Sequence, residues 1–549
     1  MVTKSAFSRR RLRFFIETKL DSRKSKSFTV EETSMNSVPP ELTEAQIAAL
    51  QDSKLFNADL APVPASRRKW RAGSFAALWI SMSACIPTYM LASSLVDTKS
   101  CGMNWWQAIL TIFLGNLIVL VPMVLNAHAG THYGIPFPVY CRASFGTAGA
   151  NIPALLRAFV ACGWFGIQTW IGGSAIYKIL AVFFPGITSG PILGFLQINS
   201  MQLLCFLFFW GINMWVVYKG IDCIRWLLNI KAPLLIALGL LLLFWAYRKA
   251  GGFGPVLSQP SEFAPGHSKE GQFWKYFFPS LTGMVGFWAT LSLNIPDFSR
   301  YAVTQRDQVI GQTLGLPLTM ALYSFIGVAV TSATSIIFGQ TIWDPVDVLT
   351  RFTNPVLLVI AMLALCIATL ATNLAANVVS PANDFAHLAP RWISFRIGGL
   401  ITGVVGILMM PWKLVADPNG YIFTWLIAYS ALLGPIGGIL IADYFVWRRR
   451  ELNLTALYQP DSEYRFTNGF SIVAIIALVL GAIPSIPGFL VQVKVLSPTA
   501  VAPWLVGLYN YAWFIGFAIA FAAYLIGRKL TVSTQSQTIT VPKPEVALK

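Results

Sequence analysis

Long apolar runs separated by short polar segments repeat along most of the chain. A helix needs about 20 residues to cross a hydrocarbon layer of ~30 Å, and about twelve runs approach or exceed that length. They lie at 74–97, 105–128, 152–184, 200–218, 224–247, 276–295, 312–338, 354–380, 395–415, 421–444, 468–490 and 502–527. This pattern predicts an all-α membrane protein.

The composition agrees with the pattern and argues against an enzyme. Of the 549 residues, 55% are hydrophobic and only 11% are charged, whereas soluble proteins carry about 25% charged residues. The sequence contains no H-E-x-x-H, G-x-S-x-G or Walker A element, and its seven cysteines show no C-x-x-C spacing. We therefore predict no catalytic or metal centre, and we interpret the cysteines as small buried hydrophobic residues.

Basic residues collect at the ends of particular apolar runs. Cytoplasmic loops of membrane proteins are enriched in Lys and Arg, so a cluster before the first run predicts a cytoplasmic N-terminus. Clusters after the tenth and twelfth runs then fall on the same side. This topology and a basic tail explain the net charge of +17 without nucleic-acid binding. The residues are Arg67, Arg68, Lys69, Arg71, Arg448, Arg449, Arg450, Arg528 and Lys529.

The two ends of the chain differ from its middle. We predict a disordered basic tail or an organelle-targeting segment at 1–60, a transporter domain at 61–530 and a C-terminal tail at 531–549. The first 34 residues also fit an upstream-extended reading frame with its natural start at Met35. A plasma or bacterial inner membrane is the expected location, and a plastid inner envelope is the alternative.

Two apolar runs contain residues that interrupt helices. Pro87 in the first run frees backbone carbonyls near 81–84, and the sixth run carries Gly283, Gly286, Asn294 and Pro296. Interrupted helices at corresponding positions of two halves are typical of transporters built from inverted repeats. The alternative is that Gly and Pro are simply common in membrane helices.

The third run places a primary amide among apolar residues. In WFGIQTW, Trp164 lies four residues before Gln168 and shares its helix face, whereas Trp170 is about 200° away from Gln168 around the helix. A carboxamide offers donors and an acceptor in one plane, which complements the edge of a nucleobase or cyclic ureide. Trp164 and Trp288 could then cover the two faces of such a ring. The alternative for Gln168 is a hydrogen bond between helices.

The eighth run carries a polar face. Thr369, Thr372, Asn373 and Asn377 are spaced at i+3 and i+4 in ATLATNLAAN, so they line one side of a helix. Either they join helices or they face a ligand, and Asn377 would supply a second planar amide. The predicted site has no fixed charge, which disfavours amino acids and polyamines as substrates.

Several stretches, in their order along 61–530, resemble the nucleobase–cation symporter-1 family of purine, pyrimidine, allantoin and hydantoin permeases. The resemblance implies a LeuT-like fold, with two inverted five-helix repeats, two extra helices, and discontinuous first and sixth helices. The stretches are SFAALWISMS (74–83), YGIPFPVYCRASFG (133–146), LRAFVACGWFGIQTWIG (156–172), GFWATLSLNIPDFSR (286–300), ATNLAANVVSPA (371–382), GILMMPW (406–412) and GPIGGILIADYFVWRRR (434–450).

The resemblance also implies a substrate site, made of Trp164, Gln168, Gly286, Phe287, Trp288 and Asn377. The family's hydantoin transporter has Gly where this chain has Phe287, so we expect a narrower or reshaped pocket.

A sodium site is implied at Ser81, Ala84, Ala368 and Thr372, but Ala371 replaces the family's second hydroxyl there. Sodium affinity should therefore fall, and proton coupling is the competing hypothesis. Proton coupling would require groups that bind a proton within the membrane, and these are usually carboxylates or His. The candidate acids, Asp222, Asp297, Asp384 and Asp443, also fit as caps or as ion-pair partners of Arg225, Arg300, Arg391 or Arg448.

Together these features predict a monomeric secondary active symporter in lipid, importing uracil, allantoin, adenine, guanine or hydantoin. No cofactor is expected beyond Na⁺ or H⁺ as the coupling ion. Gly434, Pro435, Gly437 and Gly438 predict either a hinge or close packing in the tenth run. An amino-acid or amine transporter on the same fold and a non-transporting membrane receptor are the alternatives.

Overall fold

The computed structural model describes residue 42 and residues 44–219 and 221–538, with side chains except at 44, 220–232 and 532–538. The predicted basic segment at 1–34, Met35 and the side chains of Asp222, Cys223 and Arg225 lie outside these described residues.

The first half of the described chain is almost entirely helical. Its helices are α1 (Glu44–Leu50), α2 (Ala72–Ser83), α3 (Ile86–Val96), α4 (Trp105–Tyr133), α5 (Phe137–Phe145), α6 (Asn151–Phe183), α7 (Ser200–Lys219), α8 (Ile221–Lys249), α9 (Phe253–Leu257), α10 (Phe273–Phe287), α11 (Ala289–Asn294) and α12 (Pro296–Ser299). A two-stranded antiparallel hairpin, β1 (Ile192–Leu193) and β2 (Ile198–Asn199), lies between α6 and α7.

The second half continues in the same way. Its helices are α13 (Gln305–Phe338), α14 (Pro345–Leu349), α15 (Pro355–Asn377), α16 (Val379–Leu388), α17 (Phe395–Leu408), α18 (Pro411–Leu414), α19 (Gly420–Trp447), α20 (Ile472–Ala482), α21 (Ile486–Gln492), α22 (Pro503–Tyr509) and α23 (Ala512–Thr538). Helix α19 has π-helical turns at both ends, Gly420–Leu426 and Ala442–Trp447.

Each predicted apolar run coincides with one helix or with consecutive short helices. Within the described residues, eight helices are long and apolar enough to span a membrane, and nine are if α2 and α3 form one bent span. The remaining runs are divided into shorter helices or, at α8, have side chains that are only partly described. The fold is therefore a multi-pass helical bundle, and the count of twelve crossings stays a prediction.

Three helices are interrupted inside the bundle. The α2 and α3 axes differ by 59° across Ala84 and Cys85, and Pro87 lies at the start of α3, where its missing N–H costs nothing. Trp288 separates α10 from α11, and Val378 separates α15 from α16. The first two breaks match the sequence prediction. The third was not predicted, although Pro381 lies four residues after Asn377 and cannot donate a backbone hydrogen bond to its carbonyl.

Glycines of α19 serve close packing against α23. A Cβ at Gly434 would lie 2.7 Å from the Trp513 carbonyl oxygen, and one at Gly438 would lie 2.4 Å from that of Phe517. The α-helical turns continue through this region, Ile427–Ile441, and the helical irregularities lie at the ends of α19 instead. Of the two sequence interpretations, the structure shows the close packing.

Residues 52–60, which the sequence analysis placed in the N-terminal tail, hydrogen-bond to the helical body. Arg142 donates to the Leu55 carbonyl (3.0 Å), Arg300 to the Asp59 carbonyl (3.1 Å) and Tyr458 to the Leu60 carbonyl (2.8 Å). At the other end, α23 continues through 531–538 of the predicted C-terminal tail.

Candidate substrate-binding site

Gln168 lies in the middle of α6 and is almost fully buried. The side chain is 4% exposed, and Oε1 has no hydrogen-bond partner among the described residues. A buried amide oxygen without a partner loses about 1–3 kcal/mol of solvation. The unpaired oxygen makes no hydrogen bond to another helix of the described chain, so it is free to accept one from a ligand.

Trp164 and Trp288 are buried on either side of Phe287. The Trp164 and Phe287 ring centroids are 5.2 Å apart, and those of Phe287 and Trp288 are 4.9 Å apart, both edge-to-face. Trp288 also packs edge-to-face on Trp79 of α2, at 5.2 Å. The predicted stack of two indoles around a ring therefore has a phenyl ring in it, and Phe287 must turn aside if a substrate is to enter between them.

The Trp288 indole, like the Gln168 amide, has a buried polar atom without a hydrogen-bond partner among the described residues. Its Nε1 is buried and lacks a hydrogen-bond partner in the part of the chain that the structure describes. Trp170, by contrast, packs on Phe206 and Trp412, as its position on the opposite helix face predicted.

Asn373 joins three helices. Its Nδ2 donates to the Phe165 carbonyl (3.2 Å) and Thr169 Oγ1 (3.0 Å) of α6 and to Asn213 Oδ1 (3.2 Å) of α7. Its Oδ1 accepts a hydrogen bond from Asn377 Nδ2 at 3.0 Å. Of the two roles left open by the sequence, the structure shows the first: Asn373 joins helices, and it holds the amide of Asn377 next to the break at Val378.

An aromatic stripe on α19 completes the surroundings of Trp164. The Tyr421, Trp425 and Tyr429 rings lie 6.1, 6.2 and 6.5 Å from the Trp164 ring. Sequence analysis missed these residues, although their i, i+4, i+8 spacing marks one helix face.

Gly286 has a structural rather than a ligand-contact reason to be glycine. A Cβ there would lie 2.7 Å from the Leu426 carbonyl oxygen, so α10 can approach α19 only without a side chain. The Gly286 carbonyl accepts a hydrogen bond from the Tyr429 hydroxyl at 2.9 Å. Tyr429 therefore fixes the end of α10 just before its break.

The predicted cation ligands lie on helices that contact each other, α2 and α15. Ala84 occupies the break after α2, and the Thr372 hydroxyl donates to the Ala368 carbonyl at 2.9 Å. Ala371 is fully buried and contributes no side-chain oxygen. Because sodium binds oxygen ligands, this donor set fits it incompletely.

Two of the candidate acids form buried ion pairs. Asp443 pairs with Arg448 (2.9 Å), as one sequence interpretation proposed. The partner of Asp384 is Arg157 of α6 (2.9 Å), which was not among the predicted partners. Arg157 lies seven residues before Trp164, on the same side of α6, and this spacing is the sequence signal that could have identified it.

A multi-pass helical bundle whose first and sixth apolar runs are interrupted is the architecture of a LeuT-type membrane transporter. The structure of Mhp1, a nucleobase–cation symporter-1 family transporter in a closed conformation with bromovinylhydantoin bound, aligns with a TM-score of 0.69 at 25% identity. The match covers 87% of this chain and 96% of Mhp1.

The family model for permeases of cytosine and purines, uracil, thiamine and allantoin matches residues 62–516. A purine-uracil permease of Arabidopsis thaliana is 47% identical over 86% of this chain and 78% of its own length. An allantoin permease of Bacillus subtilis is 41% identical over 87% of this chain and 94% of its own length. The chain belongs to the nucleobase–cation symporter-1 family and is a membrane permease, not an enzyme.

Proposed function

We propose that the protein is a secondary active symporter that imports a neutral, planar nucleobase or ureide by alternating access. The leading substrates are uracil, allantoin, adenine, guanine and hydantoin. The observation that carries the proposal is the unpaired, buried amide oxygen of Gln168, one helical turn from Trp164. Uracil and allantoin are also transported substrates in the names of similar permeases.

The substrate ring stacks on Trp164, and its N–H and C=O edge pairs with the carboxamide of Gln168. Asn377, held by Asn373, supplies a second amide from the helix that packs on α6. Trp288 bounds the opposite side once Phe287 has moved. Substrate therefore contacts α6, α10–α11 and α15 together, so its binding depends on how these helices are arranged.

A cation gradient drives the accumulation, and the coupling ion is a proton or sodium. The loss of one hydroxyl at Ala371 weakens the case for sodium, and we favour the proton.

Vesicle uptake tests the proposal directly. Purified protein in proteoliposomes is given radiolabelled uracil or allantoin under an imposed pH gradient, a sodium gradient or neither. We expect accumulation above the equilibrium level under one gradient and inhibition by a subset of unlabelled bases and ureides. Saturable binding without accumulation would identify a receptor, and competition by amino acids or amines would identify the alternative substrate class.

Replacing Phe287 with Gly should widen the range of substrates. Removing the phenyl ring opens the space between Trp164 and Trp288, so hydantoins with bulky 5-substituents should inhibit uptake at about 10-fold lower concentration, the equivalent of ~1.4 kcal/mol. Inhibition curves for a 5-substituted hydantoin against wild type and Phe287→Gly measure the effect. Phe423→Gly, on α19 outside this contact, serves as the control. Unchanged inhibition in Phe287→Gly would show that the phenyl ring does not limit the pocket.

A further inference from the structure

The buried ion pair between α6 and α16 is only partly satisfied. Arg157 and Asp384 are both fully buried and share one hydrogen bond, from Nη1 to Oδ2. Nε and Nη2 of Arg157 and Oδ1 of Asp384 have no partner among the described residues. A guanidinium and a carboxylate can form two parallel hydrogen bonds, but here they form only one. The remaining charged atoms are buried without a hydrogen-bond partner in the described chain, which costs solvation free energy.

A second buried ion pair, Asp443 with Arg448 at the end of α19, is fully satisfied. Asp443 Oδ2 accepts hydrogen bonds from Arg448 (2.9 Å) and Ser144 (3.2 Å), and Oδ1 accepts one from Tyr524 (2.6 Å). Both of its carboxylate oxygens are therefore paired. Asp384 differs in that one of its carboxylate oxygens has no partner among the described residues.

A polar stripe leads from the substrate site to Asp384. Asn373, Asn377, Ser380 and Asp384 follow one another at spacings of four, three and four residues, the first two on α15 and the last two on α16. Seven residues separate Asn377 from Asp384, or about 10 Å along a helix. Ser380 also accepts a hydrogen bond from Asn294 at the end of α11.

Other charged and titratable groups also face this region. Asp297 of α12 is 4% exposed; its Oδ1 accepts from the Phe137 N–H (2.9 Å), and its Oδ2 has no partner in the described part of the chain. Cys162 of α6 and Cys141 of α5 lie close enough to Asp384 to interact with its charge, and Arg300, in the segment after α12, does so with Asp297. His387 of α16 accepts a hydrogen bond from Arg142 of α5.

We propose that Asp384, with Arg157 as its counter-ion, binds and releases the coupling proton. The proton adds to the Asp384 carboxylate to give a neutral carboxyl group, and Arg157 keeps its charge because a guanidinium does not titrate. The unprotonated pair holds α6 to α16, and protonation weakens that attraction. Substrate binds between α6 and α15, through Gln168 and Asn377, and α16 follows α15 directly after Val378. Binding of the proton and binding of the substrate therefore depend on the same arrangement of these helices. This inference rests on the proposed symport function.

Asp344, in the loop before α14, is the strongest rival. Burial, and then the nearby Asp347 carboxylate, raises the pKa of Asp344 to about 7. Its carboxylate, however, caps α14 by accepting from the Val346 N–H at 2.9 Å, and Lys178 pairs with Asp347 instead. A raised acid pKa means that Asp344 takes up a proton as the pH falls through about 7, but this site does not touch α6 and α16 together.

The test compares Asp384→Asn with Asp443→Asn and Asp344→Asn in proteoliposomes, with radiolabelled uracil as the probe and allantoin if uracil is not carried. Asp384→Asn mimics the protonated state, so this variant should no longer accumulate substrate when a pH gradient is imposed. It should still exchange external for internal substrate, at a rate within about 5-fold of the wild-type rate. That exchange rate should no longer depend on pH. Asp443→Asn should keep gradient-driven accumulation.

Wild-type accumulation ratios in Asp384→Asn overturn the proposal, as does loss of coupling in Asp344→Asn alone. If Asp384→Asn fails to fold, calorimetry of substrate binding to wild type in buffers of different ionisation enthalpy decides instead. We expect about one proton to be taken up per bound substrate over part of the pH range, and none at any pH contradicts the assignment. Sodium-driven transport that ignores pH refutes the proton site but leaves the symport function intact, whereas absence of any transport refutes the function itself.

Discussion

Uptake by the Gln168→Ala variant should fall by about 100-fold or more, since two lost hydrogen bonds at roughly 1.5 kcal/mol each correspond to that factor. The carboxamide of Gln168 is proposed to hydrogen-bond to the N–H and C=O groups of the substrate. With alanine at this position, those substrate groups would be buried without a hydrogen-bond partner. Initial rates of radiolabelled uracil or allantoin uptake measure the loss.

The folded state should survive this change, because the Gln168 oxygen makes no hydrogen bond to the described protein. Thermal stability in detergent should therefore shift by no more than a few degrees. Trp170→Phe is the matched control: it lies on the same helix but contacts Phe206 and Trp412, and its uptake should equal that of wild type. Normal uptake by Gln168→Ala would show that the amide has no part in recognition.

Replacing Trp164 with Ala should raise the KM for uptake by about 10–100-fold. Stacking of a planar base on an aromatic ring contributes about 1–3 kcal/mol, and each 1.4 kcal/mol is a factor of ten in affinity. The variant also leaves a gap among Phe287, Tyr421, Trp425 and Tyr429, which all pack on this indole. Concentration series of uptake in the variant separate KM from the maximal rate.

Trp164→Phe distinguishes stacking from general packing. A phenyl ring keeps an aromatic face for the substrate, so the KM should recover most of the way toward wild type. An aliphatic replacement of similar bulk, Trp164→Leu, fills space without a π-face and should behave like alanine. Equal KM values for Phe and Leu would contradict a stacking role.

The sequence alone predicted a helical membrane protein, because repeated apolar runs of about 20 residues are typical of transmembrane helices. Two of the three helix breaks were predictable for a related reason. Pro87 frees backbone carbonyls in the first run, and Gly and Pro concentrate on both sides of the break at Trp288 in the sixth run. In lipid such interruptions persist only where the surrounding protein or a cavity satisfies the freed groups. The break at Val378 also has a sequence signal, which was not recognised: Pro381 cannot donate the backbone hydrogen bond to the Asn377 carbonyl that would have continued α15.

Candidate site residues were recognisable where a polar group stands alone in an apolar run, as Gln168 does. Whether such a group bonds to the protein or remains available to a ligand depends on the residues of other helices that pack around it. Asn373 and Gln168 look alike in sequence, yet Asn373 has three acceptors on α6 and α7 and the Gln168 oxygen has none among the described residues. Spacing places a side chain on a helix face but does not say which helix packs there.

By itself, then, the sequence determined the helical membrane architecture, the family resemblance and the short set of amide and indole residues. The tertiary structure decided that Phe287 stands between the two indoles, that Arg157 rather than a later arginine pairs with Asp384, and that Asn373 is a structural contact. These are distances between residues up to 227 positions apart along the chain. Hydrophobic periodicity is a local property and carries no information about them, whereas close packing of whole helices fixes them.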